Sequence, residues 1–400
     1  MKRNVNKTKQ NRNLLLVIVC LLLVLNVVLI RSAYTKQSLI KKEEITQEEP
    51  VKTGKKSSFD FVGVGDNLIH GAIWYHQKNA GQGYDFKDIY EYTNPYTQNA
   101  DLAFINGETI CAPGFELSHY PVFNGPVEIL DAVNAAGFDW MALSSNHSMD
   151  MGYDGLVAEM NYLKENASSI VTTGSHATKE EAEQYIVKEV NGLKVGLLGY
   201  TYGLNGYSLP EDKPWLVDLI DKEKIKKDME AISKISDVQL VSMHWGVEYD
   251  PTITEEQRDL ADYLHALGAE AIIGHHPHVI GPVELLRSKD QETLVYYSLG
   301  NFLSAQDTSE GMVGGMANFT LNYDHDRKKA SFTKAQFIPT ITYFDPNFYT
   351  FKTTTIHEYT QDMADTHFMT ANGLNISKEW VQQYVQEVVG SPERIEVVLN

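Results

Sequence analysis

Short apolar runs recur along residues 59–297, and amphipathic stretches of helical period separate most of them. Phe59–Gly65 reads as a strand ending in glycine, and Leu102–Ile105, Trp140–Leu143, Lys194–Gly199, Val238–Met243, Ala269–Ile273 and Leu294–Tyr297 read as further buried strands. Between them, Val127–Ala136, Tyr153–Lys164, Asp221–Ile235 and Glu255–Leu267 carry the 3.6-residue period of helices, with Gly137 and Gly268 placed to close two of them. Strands alternating with helices of this length predict an α/β domain. Beyond Asn301 the texture turns more β-like, in Gly315–Tyr323 and Ala330–Phe344, before Ser377 caps a helix carrying Trp380, Tyr384 and Val388. Gly311–Gly315 is glycine-rich enough to predict a mobile flap.

The start of the chain has a different pattern. Leu14–Ile30 is apolar apart from Asn26, and at 1.5 Å per residue it spans about 25 Å against a bilayer core of roughly 30 Å. Six basic and no acidic residues lie within the first 31 positions. That asymmetry predicts a cytoplasmic tail (1–13), a single transmembrane anchor (14–30) and an extracellular remainder. The rival is a cleaved signal peptide, for which Arg31-Ser32-Ala33 is a poor cleavage site. Residues 31–57 are polar and rich in Lys and Glu, and read as a stalk. The core domain is expected at 58–305, with 306–400 as its β-rich completion and tail.

The whole chain has 400 residues and a formal charge of −19; with the first 31 residues set aside, 28 basic face 53 acidic residues, a balance of −25. Phosphate backbones are bound through Lys and Arg, so nucleic acid is excluded as an expected partner. Cys20 lies in the anchor and leaves Cys111 alone beyond it, so no disulfide is expected there, and Cys111 reads as a small buried apolar residue.

Chemistry concentrates at the strand ends, where ligands bind in α/β sheets. The motifs are Gly65-Asp66-Asn67-Leu68-Ile69-His70, Asn106-Gly107-Glu108, Ser144-Ser145-Asn146-His147 with Asp150, His244-Trp245-Gly246-Val247-Glu248, Gly274-His275-His276-Pro277-His278 and Tyr297-Ser298-Leu299-Gly300-Asn301-Phe302. Each has a bland reading as a cap, a turn or a hydrogen-bonded loop histidine. Taken together, two carboxylates, an Asn-His pair, a lone His and a His-x-His are the ligand types of a two-metal hydrolytic site. Alternation along an extended segment would aim His276 and His278 at one point.

In this order the motifs resemble the CapA/PgsA family of poly-γ-glutamate capsule proteins, over residues 59–305. That family is in turn similar to calcineurin-like metallophosphoesterases. The resemblance implies a two-sheet α/β sandwich preceded by one transmembrane helix, and two divalent ions (Mn, Fe or Zn). It implies Asp66, Glu108 in bridging position, Asn146, His244, His276 and His278 as ligands, and His147, with Asp150, as the catalytic pair. His70, Asn106, Glu248, His275, Ser298 and Asn301 are expected around them, with His275 pointing away. Phosphoesterases open with Asp-x-His, whereas here Asn67-Leu68 follows Asp66, and Glu108 stands for a shorter Asp. The expected function is in synthesis, export or attachment of a poly-γ-glutamate-type capsule at the cell membrane. Its expected partners are membrane proteins of a synthesis complex and an anionic polymer or phosphate-containing envelope substrate. A metal-dependent phosphoesterase and a non-catalytic surface binding domain are the alternatives.

Overall fold

The computed structural model describes residues 55–80 and 83–400, and it sorts the apolar runs into two sheets. The expected cytoplasmic tail, anchor and almost all of the stalk lie outside the described residues. Among the described residues, no helix is long and apolar enough to cross a membrane.

The chain first lays down β1 (Lys56–Asn67), β2 (Leu102–Asn106), β3 (Trp140–Ala142) and β4 (Val171–Thr173) side by side and parallel. It then builds a second sheet from β5 (Ile186–Val190), β6 (Leu193–Thr201), β7 (Val238–His244), β8 (Ala271–His275), β9 (Val283–Arg287) and β10 (Glu292–Tyr296), in the order β5-β6-β7-β8-β10-β9. Finally it returns to the first sheet with β11 (Asn301–Leu303), β12 (Val313–Asp324), β13 (Lys329–Phe344), β14 (Phe351–Thr355) and β15 (Glu396–Val397). The first sheet runs β14-β13-β12-β1-β2-β3-β4, with β11 beside β1 and β15 beside β13. β1 is therefore internal, flanked by parallel β2 and antiparallel β12. Its first residue, Lys56, already pairs with Asp324, so the fold begins slightly before the expected boundary at 58.

Strand alternation decides which side chains meet between the sheets. In β7, Val238 and Leu240 join the large cluster shared with β1, β2 and β12. Val241, Met243 and Trp245 instead pack against Ile225, Met229, Leu260 and Leu264 of the covering helices. The same parity places His244 on the inner face. In β8, Ala271 and Ile273 point inward and Ile272 outward, so His275 also faces in. The covering helices are capped as their sequences predict. Asp221 accepts the Lys224 N–H at 2.8 Å, and Thr254 and Gln257 form a reciprocal capping box ahead of a helix closed by left-handed Gly268.

The expected flap is overturned. Gly311 and Met312 lie in a buried turn, and Val313–Gly315 open β12. A Cβ on Gly314 would sit 2.2 Å from the Asn301 carbonyl oxygen, and one on Gly315 2.3 Å from the Phe337 ring. These glycines permit close approach of neighbouring strands rather than motion. Cys111 is buried, as its isolation predicts.

Candidate metal centre

β1, β2, β3, β7 and β8 all end at the same rim of the seam between the sheets, and the polar motifs follow those ends. Asp66 pairs across the sheet with Asn106 on one side and Asn301 on the other. Its carboxylate accepts from Asn106 Nδ2 at 2.8 Å, from His278 Nδ1 at 3.1 Å and from the His276 backbone N–H at 3.3 Å. Burial alone would raise its pKa, but the hydrogen bond and charge of His278, with His275 and Asn106, hold it below the ordinary carboxylate value.

Glu108 is the opposite case. It is buried, and neither carboxylate oxygen has a hydrogen-bond partner. Its Oε1 lies 3.7 Å from His244 Nε2 and 3.5 Å from His278 Nε2. Burial, and then the charge of Asp66, push its carboxyl well above the usual range. An unpaired buried carboxylate is costly unless a proton or cation compensates it.

The imidazoles around it differ in state. Burial pushes His244 far below its ordinary value, and neighbouring histidines push further. His276 falls to about 3, burial first and His278 next, and its Nδ1 is also without a partner. His278 is held at about 9, because Glu108 and Asp66 outweigh the desolvation that would lower it. Asn146 Oδ1 accepts from His244 Nε2 at 2.9 Å. Ligand atoms within 4.8 Å of one another occur in Glu108–His244–His276, Asp66–Glu108–His278, Asp66–His244–His275 and Glu248–His276–His278. Glu108 belongs to two of these groups, one on each side of it. Neutral imidazoles, buried carboxylates and an amide oxygen converging on unpartnered oxygens suit divalent metal ions.

The His-x-His geometry arises differently from the expected alternation. β8 stops at His275, and His276 and His278 have φ of 102° and 59°. Left-handed turns, not an extended segment, aim both rings inward, and such conformations are strained for non-glycine residues. His275, expected to point away, faces in. Its Nδ1 lies 3.2 Å from His244 Nδ1, while its Nε2 meets Ser242 Oγ at 2.8 Å. Asn301 Oδ1 lies 3.1 Å from His278 Nδ1, and its amide donates to the His278 carbonyl at 3.1 Å; it fixes that ring.

Other expected residues fall outside the cluster. Ser298 donates to the Val279 carbonyl and accepts the Gly300 N–H, which makes it a turn residue. His70 Nδ1 accepts the Ala305 N–H, and its ring packs edge-on against Phe123. Asn67, to which no role at the site was assigned, accepts from Tyr90 Oη at 2.9 Å, a structural bond. His147 stands beside the cluster, its Nδ1 2.8 Å from Asp150 Oδ2. Asp150 also accepts the Phe123 N–H at 2.7 Å, so it orients His147 rather than facing the ligands. Two neighbours were missed from sequence. Asn205 lies 3.2 Å from Asn146 and 3.4 Å from His147, and Tyr202 lays its ring 4.5 Å from that of His276. The only sequence signal for Asn205 was the turn-forming Asn-Gly pair after β6.

The Glu108 loop is held from behind. Cys111 N–H donates to Glu159 Oε1 at 2.8 Å, and Ser145 Oγ donates to the Glu108 carbonyl at 3.3 Å. Burial raises Glu159 from 4.5 to about 8 against the opposing pull of the Cys111 N–H. The folded state thus keeps a proton that the unfolded chain releases. Stability from this group is complete below 4.5 and is lost as pH rises through about 8. Glu159→Gln is expected to remove that loss. Thermal melts should show the variant gaining on wild type toward about pH 9 and matching it near about pH 5; parallel pH profiles would refute this.

Residues 60–306 match the family described as bacterial capsule synthesis protein PGA_cap. The chain belongs to this bacterial capsule synthesis family. It is 30% identical over 181 residues to the PGA biosynthesis protein CapA of Bacillus subtilis (strain 168), covering 45% of each chain. It is 26% identical over 266 residues to the capsule biosynthesis protein CapA of Bacillus anthracis, covering 64% of this chain and 62% of that protein. The chain thus spans less than two thirds of the length of either relative. Among solved structures, a phosphatase from Mycoplasma pneumoniae aligns with 72% of this chain and 95% of its own at 15% identity and a TM-score of 0.45. A 5'-nucleotidase precursor from Thermus thermophilus aligns with 82% of this chain and 59% of its own at 14% identity and a TM-score of 0.43.

Proposed function

We propose that this PGA_cap protein is anchored in the membrane through Leu14–Ile30 and works outside it in the synthesis, export or attachment of a poly-γ-glutamate-type surface polymer. Its contribution in this reading is metal-dependent hydrolysis of a cell-envelope phosphoester. The observation that carries it is Glu108, a buried carboxylate with two unpartnered oxygens between His244 and His278.

Asp66, Glu108 and His278 would hold one ion, and Glu108, Asn146, His244 and His276 another, with Glu108 shared. When bound, a pair of Mn, Fe or Zn ions supplies Lewis acidity to a phosphoryl group and lowers the pKa of a water. The protein supplies the rest. Neutral His244 and His276 need lose no proton to act as ligands. Asn106 and His278 keep Asp66 ionised. Asp150 accepts from Nδ1 of His147, so that the ring, when it carries a second proton on Nε2, can give that proton to the leaving oxygen and keep the one on Nδ1.

The test uses the full purified chain, with bound metal measured by mass spectrometry and turnover of bis(p-nitrophenyl) phosphate followed alongside. Wild type should carry metal and turn over, while His276→Ala and Asp66→Asn should lose both and stay folded. A folded wild type that takes up no divalent ion and hydrolyses nothing would leave a non-catalytic binding domain.

A further inference from the structure

The segments that close over the centre have an unusual composition. Residues 66–70, 106–125, 144–152, 202–209, 244–252, 275–282 and 298–312 contain no Lys and no Arg. Their exposed charges are acidic, among them Glu248, Asp250 and Asp307. Glu248 places a carboxylate oxygen within 4.8 Å of ligand atoms on His276 and His278.

The same rim exposes aromatic rings. Tyr202 is 46% and Tyr249 57% exposed, although both touch the buried histidines. The Tyr202 ring centre lies 4.5 Å from that of His276, and the Tyr249 ring centre 6.0 Å from that of His278. Tyr249 holds a left-handed φ of 64°. Its N–H is tied to the Pro277 carbonyl at 2.7 Å, between the two left-handed histidines. A bulky side chain in that conformation is strained, and the bond to Pro277 imposes it, leaving the ring at the mouth of the centre rather than in the core.

Resting on the hydrolase reading above, we infer that the substrate is a phosphodiester of low charge whose adjoining group is an uncharged sugar ring, and that the acidic polymer itself is not what the centre binds. Aromatic faces pack against the C–H face of a pyranose, and the rim carboxylates accept from its hydroxyls. Ions held at the centre would offset one phosphate group there, but a polyglutamate chain or a further anionic group reaching past it would meet these carboxylates with no Lys or Arg in the surrounding segments to offset them.

Calorimetry on the purified full chain tests this with the methyl phosphodiester of glucose 1-phosphate, the 5'-methyl phosphodiester of adenosine, dimethyl phosphate and penta-γ-glutamate. The glucose diester should bind about tenfold more tightly than dimethyl phosphate. That gain should shrink to about twofold or less in Tyr202→Ala and Tyr249→Ala, persist in the matching Phe variants, and leave bound metal unchanged. Penta-γ-glutamate should not bind at low salt. Equal affinity for the glucose diester and dimethyl phosphate, a gain that survives both Ala variants, tighter binding of the adenosine diester, or low-salt binding of penta-γ-glutamate would each overturn the assignment. Metal content and bis(p-nitrophenyl) phosphate turnover are read on the same samples. Metal and turnover without the ring preference sink this inference alone, whereas the ring preference without metal or turnover upholds sugar selection and sinks the hydrolase reading alone.

Discussion

Glu108→Gln is expected to raise the melting temperature of cation-free protein and to abolish the further rise that added manganese or zinc gives wild type. Both carboxylate oxygens are buried and unpartnered, so in the cation-free protein the charge is a liability of several kcal/mol. A neutral amide of nearly the same shape removes it, and roughly 2 °C should follow from each kcal/mol in a domain this large. The sign with pH follows from the raised pKa: the folded state holds the Glu108 proton above the range where the unfolded chain has lost it. The penalty therefore grows as pH rises, and so should the advantage of the variant. With cation present the order reverses. Wild type gains about 2.7 kcal/mol at a hundredfold excess over the dissociation constant. An amide in place of the shared carboxylate should weaken binding at least about 100-fold, the upper end for changing a mere outer partner. Melts with and without cation decide the matter, and identical cation responses in the two proteins would refute the role given to Glu108.

Asp150→Asn is expected to lower kcat about 10²–10⁴-fold while leaving bound metal at the wild-type level. Asp150 Oδ2 meets both His147 Nδ1 and the Phe123 N–H. The first contact sets which imidazole nitrogen carries the proton. An amide can keep its oxygen at the Oδ2 position with both contacts, but it loses the negative charge that faces His147 Nδ1 and puts its NH2 where the buried Oδ1 has no partner. The structural loss should be about 1–2 kcal/mol, that of one compromised buried bond. Turnover at saturating substrate, bound metal and the pH profile of kcat together separate this from ligand loss. Unchanged kcat would show that His147 moves no proton in the rate-limiting step.

The strand-end positions of Asp66, Asn106 and His244 were legible because each follows an apolar run whose parity fixes the buried face. Their convergence was expected from the set of motifs and the family they resemble, not from any local pattern, since β1, β2 and β7 are distant segments that share no local signal. His276 and His278 show a subtler limit. Their joint aim was expected from alternation, yet it comes from two left-handed residues, a conformation that no pattern of residue types announces for histidine. The glycines at 311–315 were misread for a related reason. A missing Cβ permits both freedom and close contact, and only the neighbouring Asn301 carbonyl and Phe337 ring distinguish them. Tyr202 and Asn205 escaped notice because each acts singly, away from any cluster of chemically marked residues.

The family match ends at residue 306, yet the hydrogen-bonding edge of β1 is completed by Val313–Asp324. The portion by which the protein is recognised is therefore not one that can stand alone. A chain cut after 306 would present the backbone of the Asp66 strand as an open template for other molecules, and would aggregate before it could assemble the pocket. Inheritance and autonomy have different borders in this molecule, and the seemingly plain last quarter is a condition of the recognised part's existence.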